Sequence, residues 1–217
     1  MSGAANLLLN RRSLLLGALG LGLVACGPRS LAQARPLPED DKTWPFAMRV
    51  AVGAEMRARK SESYDPAYVK IAYPMGDVPD DRGVCTDTVI RAFRHAGVDL
   101  QEDVHEDMKA NFAKYPKSWG LAKPDTNIDH RRVPNLETFF RRKGGAQAPS
   151  KVAADFRPGD VVSWRLTGGG LPHIGVVTRN RQGDMPLVAH NIGWGTREEP
   201  CLFDWPMQGW FRFSSWT

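Results

Sequence analysis

Cysteine and histidine are both scarce, three and five in 217 residues, and neither occurs as C-x-x-C or H-E-x-x-H. Those absences exclude the common zinc signatures and a dense disulfide framework. No long membrane span is present: the apolar run Leu14 to Val24 falls short of the about 20 residues a bilayer requires. No internal repeat or low-complexity segment points to a solenoid or a disordered tail. A strong basic bias is missing too. The net charge of +5 includes Arg11 and Arg12 but no acid within residues 1–25, so without that segment it falls to +3. Arg131-Arg132 and Arg141-Arg142-Lys143 are short clusters separated by apolar residues and read as solvated helix faces, which leaves nucleic-acid binding without support.

What is present begins with an export signal. Arg11-Arg12 precede the apolar run, which ends Leu23-Val24-Ala25-Cys26-Gly27 and resembles the lipobox of bacterial lipoproteins. Cys26 is then the expected lipidated residue. Arg-Arg-Ser-Leu-Leu-Leu also resembles a twin-arginine signal, although Asn10 and Leu14 depart from its preferred flanks. The expected organisation is a signal peptide over 1–25, a lipid-anchored tether over 26–42 and one domain over 43–217, facing the periplasm from a bacterial membrane. About 175 residues suit a single compact domain.

Within it, apolar positions Phe46, Val50, Val52 and Met56 predict a helix over about 44–60 that packs as a lid on the core. Tyr68 to Tyr73 alternates as a short strand, and a turn-rich loop from Pro74 to Gly83 leads to Cys85. Val89, Ile90, Phe93 and Ala96 recur at helical spacing and Gly97 caps the end. Further helices are expected over Leu100 to about Tyr115 and, with Pro134 in its first turn, over Val133 to Lys143. Strands follow: Val161 to Arg165, His173 to Thr178 and Met185 to Asn191, the last two joined by Arg179 to Asp184. Helices first and antiparallel strands last make an α+β domain.

Cys85 opens its helix, where unpaired N–H groups and the positive end of the macrodipole favour the thiolate and predict a lowered thiol pKa. The ordered set Gly-Val-Cys-Thr-Asp, Arg-Pro-Gly-Asp-Val-Val-Ser-Trp, Pro-His-Ile-Gly-Val-Val and Leu-Val-Ala-His-Asn, spanning about Tyr73 to Asn191, resembles the NlpC-type cell-wall peptidases of the papain-like superfamily. The resemblance implies a papain-like fold in which Cys85 attacks a carbonyl, His173 carries the proton and His190 orients His173. Asn191 competes for the third role. Neighbours on a strand face opposite sides, so only one of His190 and Asn191 meets His173, and the resemblance favours His190. It also places Tyr73 beside the thiolate. The family commonly has Asp-Cys-Ser-Gly, where this chain has Val84 before the cysteine and Thr86-Asp87 after it. Asp87 is then a candidate to hold a stem amine, or a plain first-turn acid. Asp129-His130-Arg131-Arg132 places His130 and Arg131 as candidates for a stem carboxylate, or as a capped helix start with a local ion pair. His95 and His105 read as surface positions.

The finer wording, including Tyr-Pro-Met-Gly-Asp-Val-Pro, Asn-Ile-Asp-His-Arg-Arg-Val-Pro-Asn and His-Asn-Ile-Gly, resembles a bacterial domain family of unknown function of the YijF type. The expected activity is a cofactor-free, metal-free cysteine hydrolase cutting an amide bond in peptidoglycan peptide, acting as a monomer anchored through Cys26. Two alternatives remain open: a wall-binding module whose cysteine is idle or paired with Cys201, and an acyl hydrolase or transferase acting on lipids or thioesters. Trp164, Trp194, Trp205 and Trp210 are candidates to line a groove, or core aromatics.

Overall fold

The computed structural model describes residues 34–167 and 170–216. The signal segment and Cys26 lie outside the described residues. Helix α1 (Phe46–Ala58) is followed by the short strands β1 (Ser63–Tyr64) and β2 (Arg82–Gly83), then α2 (Cys85–His95), α3 (Leu100–Asn111) and α4 (Val133–Arg142). Five strands complete the domain: β3 (Val161–Arg165), β4 (Pro172–Gln182), β5 (Met185–Asn191), β6 (Thr196–Glu199) and β7 (Met207–Phe211). They form one antiparallel sheet in the order β6-β5-β4-β3-β7, while β1 and β2 pair in parallel beside it. This is the α+β architecture read from the sequence.

Strand alternation divides the sheet's side chains between two cores. Val161, Ile174, Val176, Ala189 and Phe211 join the helix-side cluster with Cys85, Val89, Phe93, Leu136 and Phe140. Val162, Trp164, Val177, Val188 and Trp210 join Phe156, Cys201 and Leu202 on the opposite face. Cys85 and Cys201 therefore sit in separate cores as free thiols, and the disulfide alternative between them does not form.

Helix α1 is part of the core rather than a lid. It packs across α2 where Gly53 meets Ala92, a contact so close that a Cβ on Gly53 would lie 2.9 Å from the Ala92 Cα and carbonyl oxygen. Helix α2 is tied to β6 by the Thr88 and Thr196 hydroxyls, 2.9 Å apart.

Two stretches depart from the sequence expectation. Tyr68 to Tyr73 is not a strand, because its backbone groups are taken by side chains: Ile71 N–H by Asn127 Oδ1 at 3.0 Å and the Ala72 carbonyl by Gln101 Nε2 at 2.8 Å. Conversely, the polar run from Arg179 continues β4 as far as Gln182, leaving a tight turn at Gly183-Asp184. The strand tolerates those residues because they are paired. The carboxylate of Glu55 on α1, wholly buried, accepts from the Arg179 backbone and guanidinium, and Asn180 donates to Glu198 Oε1 at 2.7 Å. The third expected helix also ends early, α3 giving way to a 3₁₀ turn over Phe112–Lys114.

Candidate active site

The entry to α2 is locked from several directions. Val84 has no side chain able to cap the helix, so Asp87 reaches back and accepts the Val84 N–H at 2.7 Å. Arg131 grips the same carboxylate through Nε and Nη2, at 2.8 and 2.9 Å, while its carbonyl accepts the Thr86 hydroxyl at 3.0 Å. From the sheet, Asn191 Nδ2 donates to the Gly83 carbonyl at 3.3 Å. Cys85 is thereby held as the first residue of the helix.

Cys85 is 7% exposed, and burial pushes the thiol pKa up to about 12. The N–H of Ile174 beside the sulfur opposes this, Asp87 adds to it, and the first-turn N–H groups of Thr86 and Cys85 oppose it weakly. The thiol pKa is raised, not lowered as the helix terminus led one to expect, because in a site this dry desolvation of the thiolate outweighs a few backbone dipoles.

The histidines form a hydrogen-bonded pair. His173 Nε2 and His190 Nδ1 are 2.8 Å apart with the rings 76° to each other, and both residues are buried. His173 pairs in register with Trp164 on β3 and its ring stacks on that indole at 5.8 Å. Trp205 covers both imidazoles edge-on, at 5.8 and 6.0 Å. Gly175 makes the pairing possible, since a Cβ there would lie 3.1 Å from His190 Cβ and 2.7 Å from Val188 Cγ1. Burial, and then the neighbouring His190, push the His173 pKa down to about 3. The imidazoles thus emerge on the Trp164 side of the sheet and Cys85 on the helix side. Ile174, the residue after His173 on β4, presents its N–H to the Cys85 sulfur, and among the described residues no hydrogen bond joins Cys85 to either imidazole.

A cleft of about 230 Å³ opens over Cys85, walled by Tyr64, Trp119, Arg131, Arg132 and Pro172. The Arg132 guanidinium lies 4.1 Å over the Trp119 ring and donates to Asp129 Oδ1 at 3.1 Å. A larger cavity, about 730 Å³, is lined by Phe203, Trp205, Met207 and Trp210 and does not contain Cys85. Among the described residues no three His, Cys, Asp or Glu side chains are grouped to hold a metal ion, and no helix is long and apolar enough to cross a membrane.

The remaining candidates divide between the cleft and the framework around it. Tyr73 turns to α3, donating to Glu106 Oε1 at 3.0 Å and packing edge-on against His105, so Tyr64 is the tyrosine beside the thiol. Arg131 does border the cleft, but its fork is engaged by Asp87. His130 is buried, and burial followed by the charge of Arg131 pushes its pKa down to about 4. Asn191 braces the loop before Cys85 and faces away from His173. His95 is half-buried and bonded to Asp41 Oδ2 at 2.8 Å rather than free on the surface. Of the tryptophans, Trp164 and Trp210 are core, Trp205 roofs the histidines and Trp194 is exposed. Sequence reasoning missed Tyr64, Trp119, Arg132 and Glu199. Only Arg132 carried a signal, as part of the Asp129 to Arg132 charge cluster.

Comparison with known proteins places this architecture in a family. The Uncharacterized protein YijF of Escherichia coli (strain K12) is 54% identical over 167 residues, which is 76% of this chain and 81% of that protein. Among solved structures, NlpC1 and NlpC2 from Trichomonas vaginalis superpose with TM-scores of 0.44 and 0.46 at 14% and 13% identity, covering 83% and 84% of this chain. The chain spans about half the length of each, 48% and 51%. Residues 51–213 match the model of a domain of unknown function (DUF1287). By both the family match and the identity to YijF, the chain belongs to the DUF1287 family.

Proposed function

We propose that this domain is a cysteine hydrolase that cleaves an amide bond in bacterial cell-wall peptide. The observation that carries the reading is the placement of Cys85 as the first residue of α2, beneath an open cleft and against the backbone that carries the His173–His190 pair. His173 spends Nε2 on His190, so the reading requires Nδ1 to reach the thiol, with which it shares no hydrogen bond in the resting structure. Because the resting thiol and imidazole are both neutral, the proton moves as attack occurs: Cys85 Sγ–H passes it to His173 while sulfur bonds to the carbonyl carbon. The first-turn N–H of Cys85 is the donor for the developing oxyanion. Collapse breaks the C–N bond, His173 returns the proton to the leaving amine, and water hydrolyses the thioester. The wall-peptide substrate, the periplasmic location and the lipid anchor at Cys26 rest on the sequence resemblances and on the export signal.

Digestion of purified peptidoglycan, read by mass spectrometry, tests the reading. Wild-type protein should release peptide fragments, and Cys85→Ala and His173→Ala should both release none, since one catalytic unit loses its function with either member. A second reading, a wall-binding module with an idle thiol, is favoured by the burial of Cys85 and its raised pKa. Sedimentation of wild type with peptidoglycan, without any product, would select it.

A further inference from the structure

Glu199 lies on β6, two residues beyond the register partner of His190, on the diagonal that a long side chain can span. Its Oε2 is 3.1 Å from His190 Nε2, and the Cys201 sulfur is 3.3 Å from the same nitrogen. We infer that Glu199 is a positioning residue that sets the tautomer of His190, and through it that of His173, against the competing thiol of Cys201.

Across the 2.8 Å contact, either His173 Nε2–H donates to His190 Nδ1 or the reverse holds. In the first arrangement His190 carries its proton on Nε2 and needs an acceptor there, and a carboxylate is one. His173 then has a bare Nδ1, the lone pair that can take the proton of Cys85. In the second arrangement His190 is bare at Nε2, where the Cys201 S–H is a donor, and His173 holds its proton on Nδ1 and cannot act as a base. A single nitrogen thus faces two partners that demand opposite proton positions. Glu199 prevails because it is anionic: the hydrogen bond from His190 holds its carboxyl below the usual range, and charge-assisted bonds are about twice as strong as neutral ones. Burial pushes Cys201 up to about 12, so it stays a thiol, and S–H is a weak donor.

The catalytic consequence rests on the hydrolase reading; the tautomer assignment does not. The test is therefore spectroscopic first: long-range ¹H–¹⁵N spectra of the ¹⁵N-histidine-labelled protein, with His173→Gln and His190→Gln for assignment. Wild type should show both imidazoles protonated at Nε2. Glu199→Ala, a change at a partly exposed side chain, should move protons toward Nδ1 on both rings, and Glu199→Gln, which retains an acceptor oxygen, should keep the wild-type pattern. Adding Cys201→Ala to Glu199→Ala should draw the pattern part of the way back. In the hydrolysis assay Glu199→Ala should lower kcat on the order of 10- to 100-fold with little change in KM, and the double variant should recover part of it. Unchanged imidazole spectra in Glu199→Ala would overturn the inference whatever the activity. Shifted spectra in a protein whose wild type hydrolyses nothing would uphold it and overturn the hydrolase reading instead.

Discussion

Arg131 holds Asp87 in a two-point grip, Nε to Oδ1 and Nη2 to Oδ2, with both side chains almost fully buried. The pair bridges the 3₁₀ turn Asp129–Arg131 to the start of α2, so of the two roles that the sequence left open for these residues, substrate contact and local ion pair, the ion pair is the one formed, as a brace for the nucleophile's helix. Arg131→Ala leaves a buried carboxylate with no ionic partner and should cost about 3–5 kcal/mol of stability. Urea unfolding measures it. A loss below about 1 kcal/mol would mean that the pair is solvated and not a brace.

Two buried histidines predict the acid response. His130 and His173 titrate at about 4 and about 3 in the folded protein, both from burial, against about 6.5 when unfolded. The unfolded chain therefore binds more protons between those values, so stability is intact above about pH 6.5 and falls as the pH drops below it. Each histidine contributes a slope approaching about 1.4 kcal/mol per pH unit within its window. Urea midpoints recorded from about pH 8 to pH 4 should decline accordingly, and less steeply in His130→Leu. A flat profile from pH 7 to 5 would contradict the burial of both rings.

Thiol chemistry gives a third expectation. With Cys85 and Cys201 each pushed up to about 12, native protein should alkylate at least about 100-fold more slowly than a free cysteine at pH 8, with the rate still climbing toward pH 9. Denaturant should release both sites, and reductant should change nothing, because both thiols are free. Fast labelling of Cys85 at neutral pH would instead reveal a preformed thiolate and imidazolium.

Gly175 supplies a steric test of the histidine pair. Gly175→Ala puts a methyl within 2.9 Å of the Ala189 carbonyl oxygen and against His190, and backbone on one side leaves it little room to move. The expected cost is about 1–3 kcal/mol in thermal unfolding, together with a disturbed His173–His190 hydrogen bond in imidazole spectra. An unperturbed imidazole signal would show that the sheet relaxes without moving His190.

Much of this molecule is legible in local pattern. Helical spacing from Val89 to Ala96 with Gly97 beyond it located α2 and put Cys85 at its start, and the alternation of β5 decided that only one of His190 and Asn191 meets His173. Periodicity records which face of an element is apolar, and that is a property of neighbouring residues. The polar pairings were not legible, because each joins side chains from elements far apart in the chain. Glu55 reaches Arg179 across 124 residues and turns an apparent loop into strand, and Asp87 finds Arg131 at a separation of 44. Tyr73 lost its expected place to Tyr64 because its loop is held by Asn127 and Gln101 rather than by a ladder. The depth at which Cys85 lies, and hence the sign of its pKa shift, followed only from packing. Desolvation depends on every atom that closes over the sulfur, whereas the helix terminus that favours the thiolate is set by a few residues in sequence.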